Sequence, residues 1–321
     1  MEFKRWNSIE NHYQTAILNR FSESNPDLKN ADVEITEKIH GANFSILGTP
    51  DGEIRFASRN GFLEPDAKFY DYQNLFKQRE YVELIDFIKV LAEETGTDIQ
   101  VYGELYGGGV QKGVFYGTDK YFRWYSLRVN GLIVSPKEAD KYLILFQHLK
   151  VPVIGVFNVG GDLIKFIDEV DTKFRSKLTP EEYEGDNICE GVVIVSHERV
   201  FYNQSSLFLV KKKNDEFKDK AHKPKRDRQV KVVPENIQEM IDEALTYVNE
   251  NRTNDLFSKI GVMESMKDAS KFAKEYFNDL FIDFEKDNYT EWNDLESKEQ
   301  GMVKKKLGTS IFKELKESLS R

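Results

Sequence analysis

The sequence predicts an α+β fold, a mainly antiparallel-sheet domain followed by a small all-helical one. Three observations carry this. Seven short stretches in the first two thirds alternate apolar and polar residues as half-buried strands do. Helical spacings interrupt them without a regular strand–helix–strand rhythm, which favours antiparallel sheets over a parallel one. From Pro234 onward only helical periodicity remains.

Taken in order, Val33–Lys38 reads as the first clear strand. Gly41 breaks it, and Phe44 and Ile46 restart the alternation, so Lys38 sits where a strand enters a turn. Ile54–Ser58 follows, then one or two helices marked by Phe69, Tyr72, Phe76, Ile85, Ile88 and Leu91. Strands recur at Ile99–Leu105 and Tyr121–Val129, and Pro136 opens a helix running to about Lys150. Ile188–Val195 and Leu207–Lys213 complete the set. The stretch Lys211–Lys231 holds ten basic and four acidic residues, net +6 (10 − 4), and includes Pro224. It reads as a strand end and an interdomain linker, dividing the chain into domains 1–228 and 229–321. Pro234 suits a first helical position, and Leu256–Ile260 closes on Gly261 as a C-cap. There is no internal repeat.

Composition limits the functions to consider. A single cysteine, Cys189, excludes a disulfide framework within the chain and fits a reducing compartment. Met1–Asn11 lacks an apolar signal core and no run of 18 apolar residues occurs, so the expectation is a soluble, cytoplasmic monomer away from membranes. Net charge −9 argues against a uniformly basic nucleic-acid binder. One cysteine and five scattered histidines give no zinc spacing.

Several residues invite chemistry. A lysine held by a sheet at a turn, as Lys38 is, can be partly desolvated and serve as a nucleophile; alone, it reads as well as a surface lysine. Alternation puts Gln100, Tyr102 and Glu104 on one strand face, and Lys211 and Lys213 on one face with Lys212 on the other. A lysine run is usually a solvated basic face. Gly107-Gly108-Gly109 lacks the Gly-Lys-Ser/Thr of a phosphate loop.

Glu37-Lys38-Ile39-His40-Gly41-Ala42-Asn43-Phe44 resembles the nucleotidyl-lysine motif of the RNA ligase 2 family, which includes phage nick-sealing and kinetoplastid editing-type ligases, within the covalent nucleotidyltransferase superfamily. The likeness extends to Arg59, to Gly103-Glu104-Leu105-Tyr106-Gly107-Gly108-Gly109-Val110-Gln111-Lys112, to Tyr121–Ser126, to Glu190-Gly191-Val192-Val193 and to Lys211-Lys212-Lys213, in the family's order. Trp6–Tyr13 and Asn251–Gly261 also resemble it, the latter opening the family's helical C-terminal domain. The chain departs where Ser58 precedes Arg59 in place of lysine and where Ser126 replaces the usual aspartate.

The resemblance implies an ATP-dependent RNA ligase with an ATP-grasp-like nucleotidyltransferase domain, using Mg²⁺ (or Mn²⁺) to seal 3′-OH/5′-phosphate nicks in duplex RNA or an RNA/DNA hybrid through a lysyl-AMP intermediate. It implies catalytic roles for Lys38, His40, Arg59, Glu190, Lys211 and Lys213. Nucleotide contacts would come from Glu37, Lys38, Asn43, Arg59, Glu104, Tyr125, Lys211 and Lys213, with Glu104 on the ribose and Tyr125 stacked on adenine. Glu190 and Glu104 would serve the metal. Arg252 and Lys259 are expected to touch nucleic-acid phosphates. Three rival readings are a DNA ligase, a capping-type nucleotidyltransferase and an inactive RNA-binding relative. His40 in place of aspartate and the helical C-terminus weigh against the first two, and retention of Lys38 and Glu190 against the third.

Overall fold

A computed structural model of the chain describes residues 2–204, 206–217 and 234–319. It separates into two compact units, Met1–Glu216 and Phe217–Arg321. The expected domain boundary at residues 228 and 229, and most of the expected linker, lie outside the described residues.

The first unit begins with β1 (Glu10–Asn11), α1 (Thr15–Ser24), β2 (Asp32–Glu37), β3 (Ala42–Gly48), β4 (Ile54–Ser58) and β5 (Gly61–Phe62). Helices α2 (Tyr72–Leu75) and α3 (Arg79–Thr95) lead to β6 (Ile99–Gly107), β7 (Lys120–Val129) and β8 (Leu132–Ile133). After α4 (Pro136–Tyr142) come β9 (Val153–Asn158), α5 (Leu163–Glu169), β10 (Gly191–Ser196), a short hairpin of β11 (Tyr202–Asn203) and β12 (Ser206–Leu207), and β13 (Leu209–Lys213). Two main sheets result, ordered β1-β13-β10-β2-β9 and β5-β4-β3-β6-β7-β8. All pairings in them are antiparallel except the two-residue β1–β13 ladder, which is parallel.

Period-2 patterning stacks the sheets. Val192, Ile194 and Val210 turn outward onto α1 and α5, while Val193, Val195 and Leu209 turn inward onto Trp6 and Tyr102. On the second sheet Phe44, Ile46 and Phe122 turn outward into an aromatic core with Phe76 and Tyr81. The inner faces of the two sheets therefore oppose each other and pack in part around Trp6 and Tyr102. Asn43, Glu104, Lys211 and Lys213 share the inner parity.

The chain crosses from one sheet to the other in four residues, Lys38–Gly41, between β2 and β3. That crossing fixes the glycine. A Cβ at Gly41 would lie 2.4 Å from the Leu105 carbonyl oxygen and 2.8 Å from Glu104 Cγ. Gly191 meets the same need on β10, with φ +151° and the Lys212 carbonyl 2.1 Å from where a Cβ would stand.

The helix expected from Pro136 to Lys150 is shorter than the pattern implied. Ser135 caps it in a reciprocal box with Glu138, but α4 stops at Tyr142, and Ile144–Leu149 continues as a 3₁₀ segment. Leu143, buried at φ −102°, ψ 33°, turns the chain there. Strand β9 and helix α5 have no counterpart in the predicted elements.

The second unit is helical among its described residues, as predicted: α6 (Glu235–Leu245), α7 (Glu250–Ile260), α8 (Ala269–Asp287), α9 (Tyr289–Asn293) and α10 (Ser297–Ser318). Its core gathers Tyr276, Leu280, Phe284, Trp292, Leu307, Ile311 and Leu315. Gly261 ends α7 at φ +89°, the predicted C-cap. Arg252, by contrast, is buried inside this unit. It donates to Asp279 at 3.0 Å and Asp283 at 2.8 Å, and Lys259 also pairs with Asp279. Asp279 and Asp283 stand one helical turn apart on α8, and Arg252 and Lys259 share a face of α7. The phosphate contact expected of Arg252 is thereby corrected, for its guanidinium is enclosed within the helical unit, whereas Lys259 is only partly buried.

Candidate active site

Lys38 follows the last residue of β2, and its backbone N–H continues the ladder by donating to Gly191 O at 2.9 Å. Its ammonium donates to Glu190 Oε2 at 2.7 Å. Glu190 immediately precedes β10 and is wholly buried; its other oxygen lies 3.0 Å from Lys213 Nζ. Two lysines from two strands thus share one carboxylate. Burial alone would raise that carboxyl. The charges of Lys38, Lys213 and His40, with the hydrogen bond from Lys38, outweigh burial and hold it at about 2.

Lys211 lies two residues up the same face of β13, opposite Val193. Lys212 points the other way and caps the end of α5, donating to the carbonyls of Ile167, Asp168 and Val170. The alternation read from sequence holds through all three lysines.

His40 is buried in the sheet-to-sheet turn, and its backbone N–H donates to the Tyr116 hydroxyl at 3.0 Å. Glu37 ends β2 opposite Val192, on the outer face of its sheet, and is buried. Ser176 Oγ donates to one of its oxygens at 2.5 Å and the Lys177 N–H to the other at 2.8 Å. Burial outweighs those hydrogen bonds, so its carboxyl titrates above the ordinary range. Neighbouring glutamates in one site are thus pushed in opposite directions.

The second sheet contributes a different chemistry. Asn43 on β3 pairs across to Glu104 on β6, and its amide donates to the Tyr125 hydroxyl on β7. The ladder between β6 and β7 slips at this point. Tyr102 faces Ser126 while Gly103 faces Trp124, leaving Tyr125 as the extra residue of a bulge. Alternation puts Trp124 in the outer core and Tyr125 on the inner face, and the bulge returns Leu127 to the outer core. Trp6 packs against Tyr125 with ring centroids 5.1 Å apart. Burial first, then the charge of Glu104, raises the Tyr125 phenol well above its usual range, with Arg59 opposing. Arg59, one residue beyond β4, sits beside this group, and its buried Nε has no hydrogen-bond partner among the described residues.

The structure therefore gathers Lys38, His40, Glu190 and Lys213 at one end of the crossing, and Asn43, Arg59, Glu104 and Tyr125 at the other. Glu104 packs on Gly41, three residues from Lys38, and joins the two groups. Sequence reasoning missed Tyr116, Ser176 and Lys177. They lie far along the chain in loops without strand or helix periodicity, and only the Tyr116 neighbourhood adjoined a recognised motif. Trp6 was within a stretch already noted.

A divalent cation suits Glu190, a hard oxygen donor already ionised. Among the described residues no three His, Cys, Asp or Glu side chains gather to hold an ion unaided. Glu104 stands with Asn43 and Tyr125, on the other side of Gly41.

Comparison with known proteins places the chain. Residues 31–213 match the RNA ligase family and residues 230–313 the T4 RNA ligase 2 C-terminal family. A mitochondrial RNA-editing ligase 2 from Trypanosoma brucei brucei is 38% identical over 79 residues, covering 23% of this chain and 18% of that protein. Among solved structures, a Naegleria gruberi RNA ligase with PPi superposes at TM-score 0.50 and 13% identity, covering 67% of this chain and 57% of the other. A mutant of the same ligase with ATP and Mn gives TM-score 0.50 and 13% identity over 68% of this chain and 58% of that one. The chain thus spans less than three fifths of these relatives' lengths. At such identity the structural likeness speaks for the fold alone.

Proposed function

This chain belongs to the RNA ligase family, with domains of the RNA ligase 2 type in order along it, and we propose that it is an ATP-dependent ligase sealing 3′-OH/5′-phosphate nicks in duplex RNA. The observation that carries the reading is the single carboxylate of Glu190 shared by Lys38 and Lys213. A nucleophilic amine and a second ammonium converge there, beside a group suited to a nucleoside.

In the first step the Lys38 amine, having lost its proton, attacks the α-phosphorus of ATP. A P–N bond forms, the P–O bond to pyrophosphate breaks, and pyrophosphate departs. Lys213 and Lys211 balance the charge that builds on the leaving oxygens. Arg59 and Asn43 orient the nucleotide, Glu104 binds its ribose, and Tyr125 presents its ring to adenine, a contact worth roughly 1–3 kcal/mol in comparable stacking sites. Glu37, engaged through its carboxylate by Ser176 and Lys177, fixes the wall beside the nucleophile. Mg²⁺ or Mn²⁺, held by Glu190 together with the phosphates, would supply charge neutralisation and alignment for in-line displacement.

AMP then passes from Lys38 to the 5′-phosphate of the nick, forming a P–O–P bond as the P–N bond breaks. Finally the 3′-hydroxyl attacks that 5′-phosphate, AMP leaves, and the strand is continuous. Positioning and charge do most of the catalysis in each step. The nucleotidyltransferase domain is assigned residues 1–228 and the helical domain 229–321.

The direct test is incubation with α-labelled ATP and Mg²⁺, followed by denaturing electrophoresis. A labelled protein band that Lys38→Ala abolishes is the expected outcome. Labelling with GTP in preference to ATP, or persistent labelling of Lys38→Ala, overturns the assignment.

A further inference from the structure

We propose that Tyr116 is a positioning residue for the nucleophile, holding the Lys38–Gly41 turn through its hydroxyl; this rests on the reading of Lys38 as the group that takes AMP. The turn joins two sheets in four residues, so few backbone groups are available to fix it. Lys38 N–H is tied to the first sheet through Gly191 O. His40 N–H is tied to a side chain, the Tyr116 hydroxyl at 3.0 Å.

Tyr116 is itself braced. Its ring is 4% exposed and meets Tyr106 of β6 edge-on, centroids 5.0 Å apart at 79°. The Tyr106 hydroxyl accepts from Arg123 Nε at 3.1 Å, and Arg123 Nη1 donates to the carbonyls of His148 and Lys150. On the other side, Asn187 clamps the backbone of Phe115 from both directions. Its Oδ1 accepts from Phe115 N at 2.7 Å, and its Nδ2 donates to Phe115 O at 2.7 Å. Asn187 lies three residues before Glu190. A strap therefore runs from the nucleophile turn through Tyr116, Phe115 and Asn187 to the carboxylate that receives Lys38, independent of sheet pairing.

The hydroxyl is what the strap needs. Burial, above all, and the nearby charges of Glu37 and Glu190 keep this phenol neutral, so it stays both an acceptor for His40 N–H and a donor. Phenylalanine would fill the same space but leave the His40 N–H buried without its acceptor. Small displacement of a reacting group is expensive, on the order of 100-fold in rate for about 1 Å.

The experiment compares wild type, Tyr116→Phe and Tyr121→Phe. The Tyr121 ring also meets Tyr106, 5.5 Å away, and among the described residues its hydroxyl makes no hydrogen bond to the turn. Single-turnover adenylylation is measured across ATP concentrations, and sealing of a pre-adenylylated nick is measured on the same preparations. For Tyr116→Phe, adenylylation at saturating ATP is expected to fall at least about 10-fold while half-saturating ATP changes by less than about two-fold. Sealing of the pre-adenylylated nick should fall far less, and Tyr121→Phe should adenylylate as wild type does. Unchanged adenylylation by Tyr116→Phe overturns the proposal. So does an equal fall in both reactions, which marks a merely structural hydroxyl and also covers a variant that folds poorly. Failure of wild type to label at all defeats the underlying reading of Lys38, and this inference with it.

Discussion

Two clusters of buried charge in this molecule look alike in sequence and differ in what surrounds them. In the first unit Lys38 and Lys213 share a single, wholly buried carboxylate, Glu190. In the helical unit Arg252 and Lys259 meet two carboxylates, Asp279 and Asp283, within the bundle. The first group centres on one wholly buried carboxylate and stands beside the nucleoside-side residues through Gly41. The second joins cations and carboxylates from two helices, and its arginine is almost completely enclosed. Buried pairs between helices hold a fold, whereas two ammonium groups converging on one carboxylate can also receive an anionic ligand. Charge alone does not distinguish them.

The sharpest way to break the comparison is to remove the chemistry from the first cluster. Lys38→Ala is expected to eliminate self-adenylylation completely, yet retain part of the sealing of a pre-adenylylated nick, which needs no lysyl-AMP. Glu190→Ala should also lose sealing while remaining folded at neutral pH. Far-ultraviolet circular dichroism beside a ligation assay checks both. A Glu190→Ala protein that seals normally would place the carboxylate outside the reaction.

Removing the second unit tests the other side. A chain truncated after Arg228 should still label itself with AMP and join a pre-adenylylated strand, because its two sheets and their cores lie within the first compact unit. Sealing of ordinary 5′-phosphate nicks should fall by most of its value if the helical unit grips duplex. Equal sealing by the truncated chain would assign that unit to another task.

Arg252→Ala probes the same unit without deleting it. Removing one partner of a buried ion pair commonly costs about 3–5 kcal/mol, and the lower end is expected here because Asp279 and Asp283 are 29% and 25% exposed. Thermal unfolding should show the loss, while self-adenylylation at a temperature where the first unit is folded should not change. A variant of native stability that binds nicked duplex weakly would restore the phosphate-contact reading.

These contrasts also mark how far the sequence could be read. Lys38, Gly41, Glu190 and the lysines of β13 were legible because period-2 alternation and short motifs report local geometry. The return of Leu127 to the outer core was not, since it depends on a bulge that exists only in the register of β7 against β6. Nor was the role of Glu37, whose partners Ser176 and Lys177 lie about 140 residues along the chain. Arg252 was misread because a basic residue in a family-like motif does not disclose its partner. The signal was present nonetheless, in Asp279 and Asp283 at a spacing of four on one predicted helix. Strand β1 was too short for periodicity to show, although it fixes Lys211 O through His12 N–H.

The finest effect concerns pH, and it sets two glutamates of the same site against each other. Glu190 has a folded value of about 2, below the ordinary 4.5. Its contribution to stability is therefore full above about 4.5 and is lost as pH falls toward 2. Glu37 is raised, principally by burial, so its contribution runs the other way. It is full below the ordinary 4.5 and is lost as pH rises through the raised folded value. The two substitutions to glutamine should then change the unfolding temperature profile in opposite senses. Glu190→Gln should flatten the acid fall between about 4.5 and 2, even though its stability at neutral pH is lower because two lysines lose their anion. Glu37→Gln should remove part of any decline that begins just above 4.5. Differences from wild type across the same buffers isolate these two carboxylates from the many others that titrate in the window. If both variants shift the profile in the same sense, the opposition of charge-dominated Glu190 and burial-dominated Glu37 is wrong.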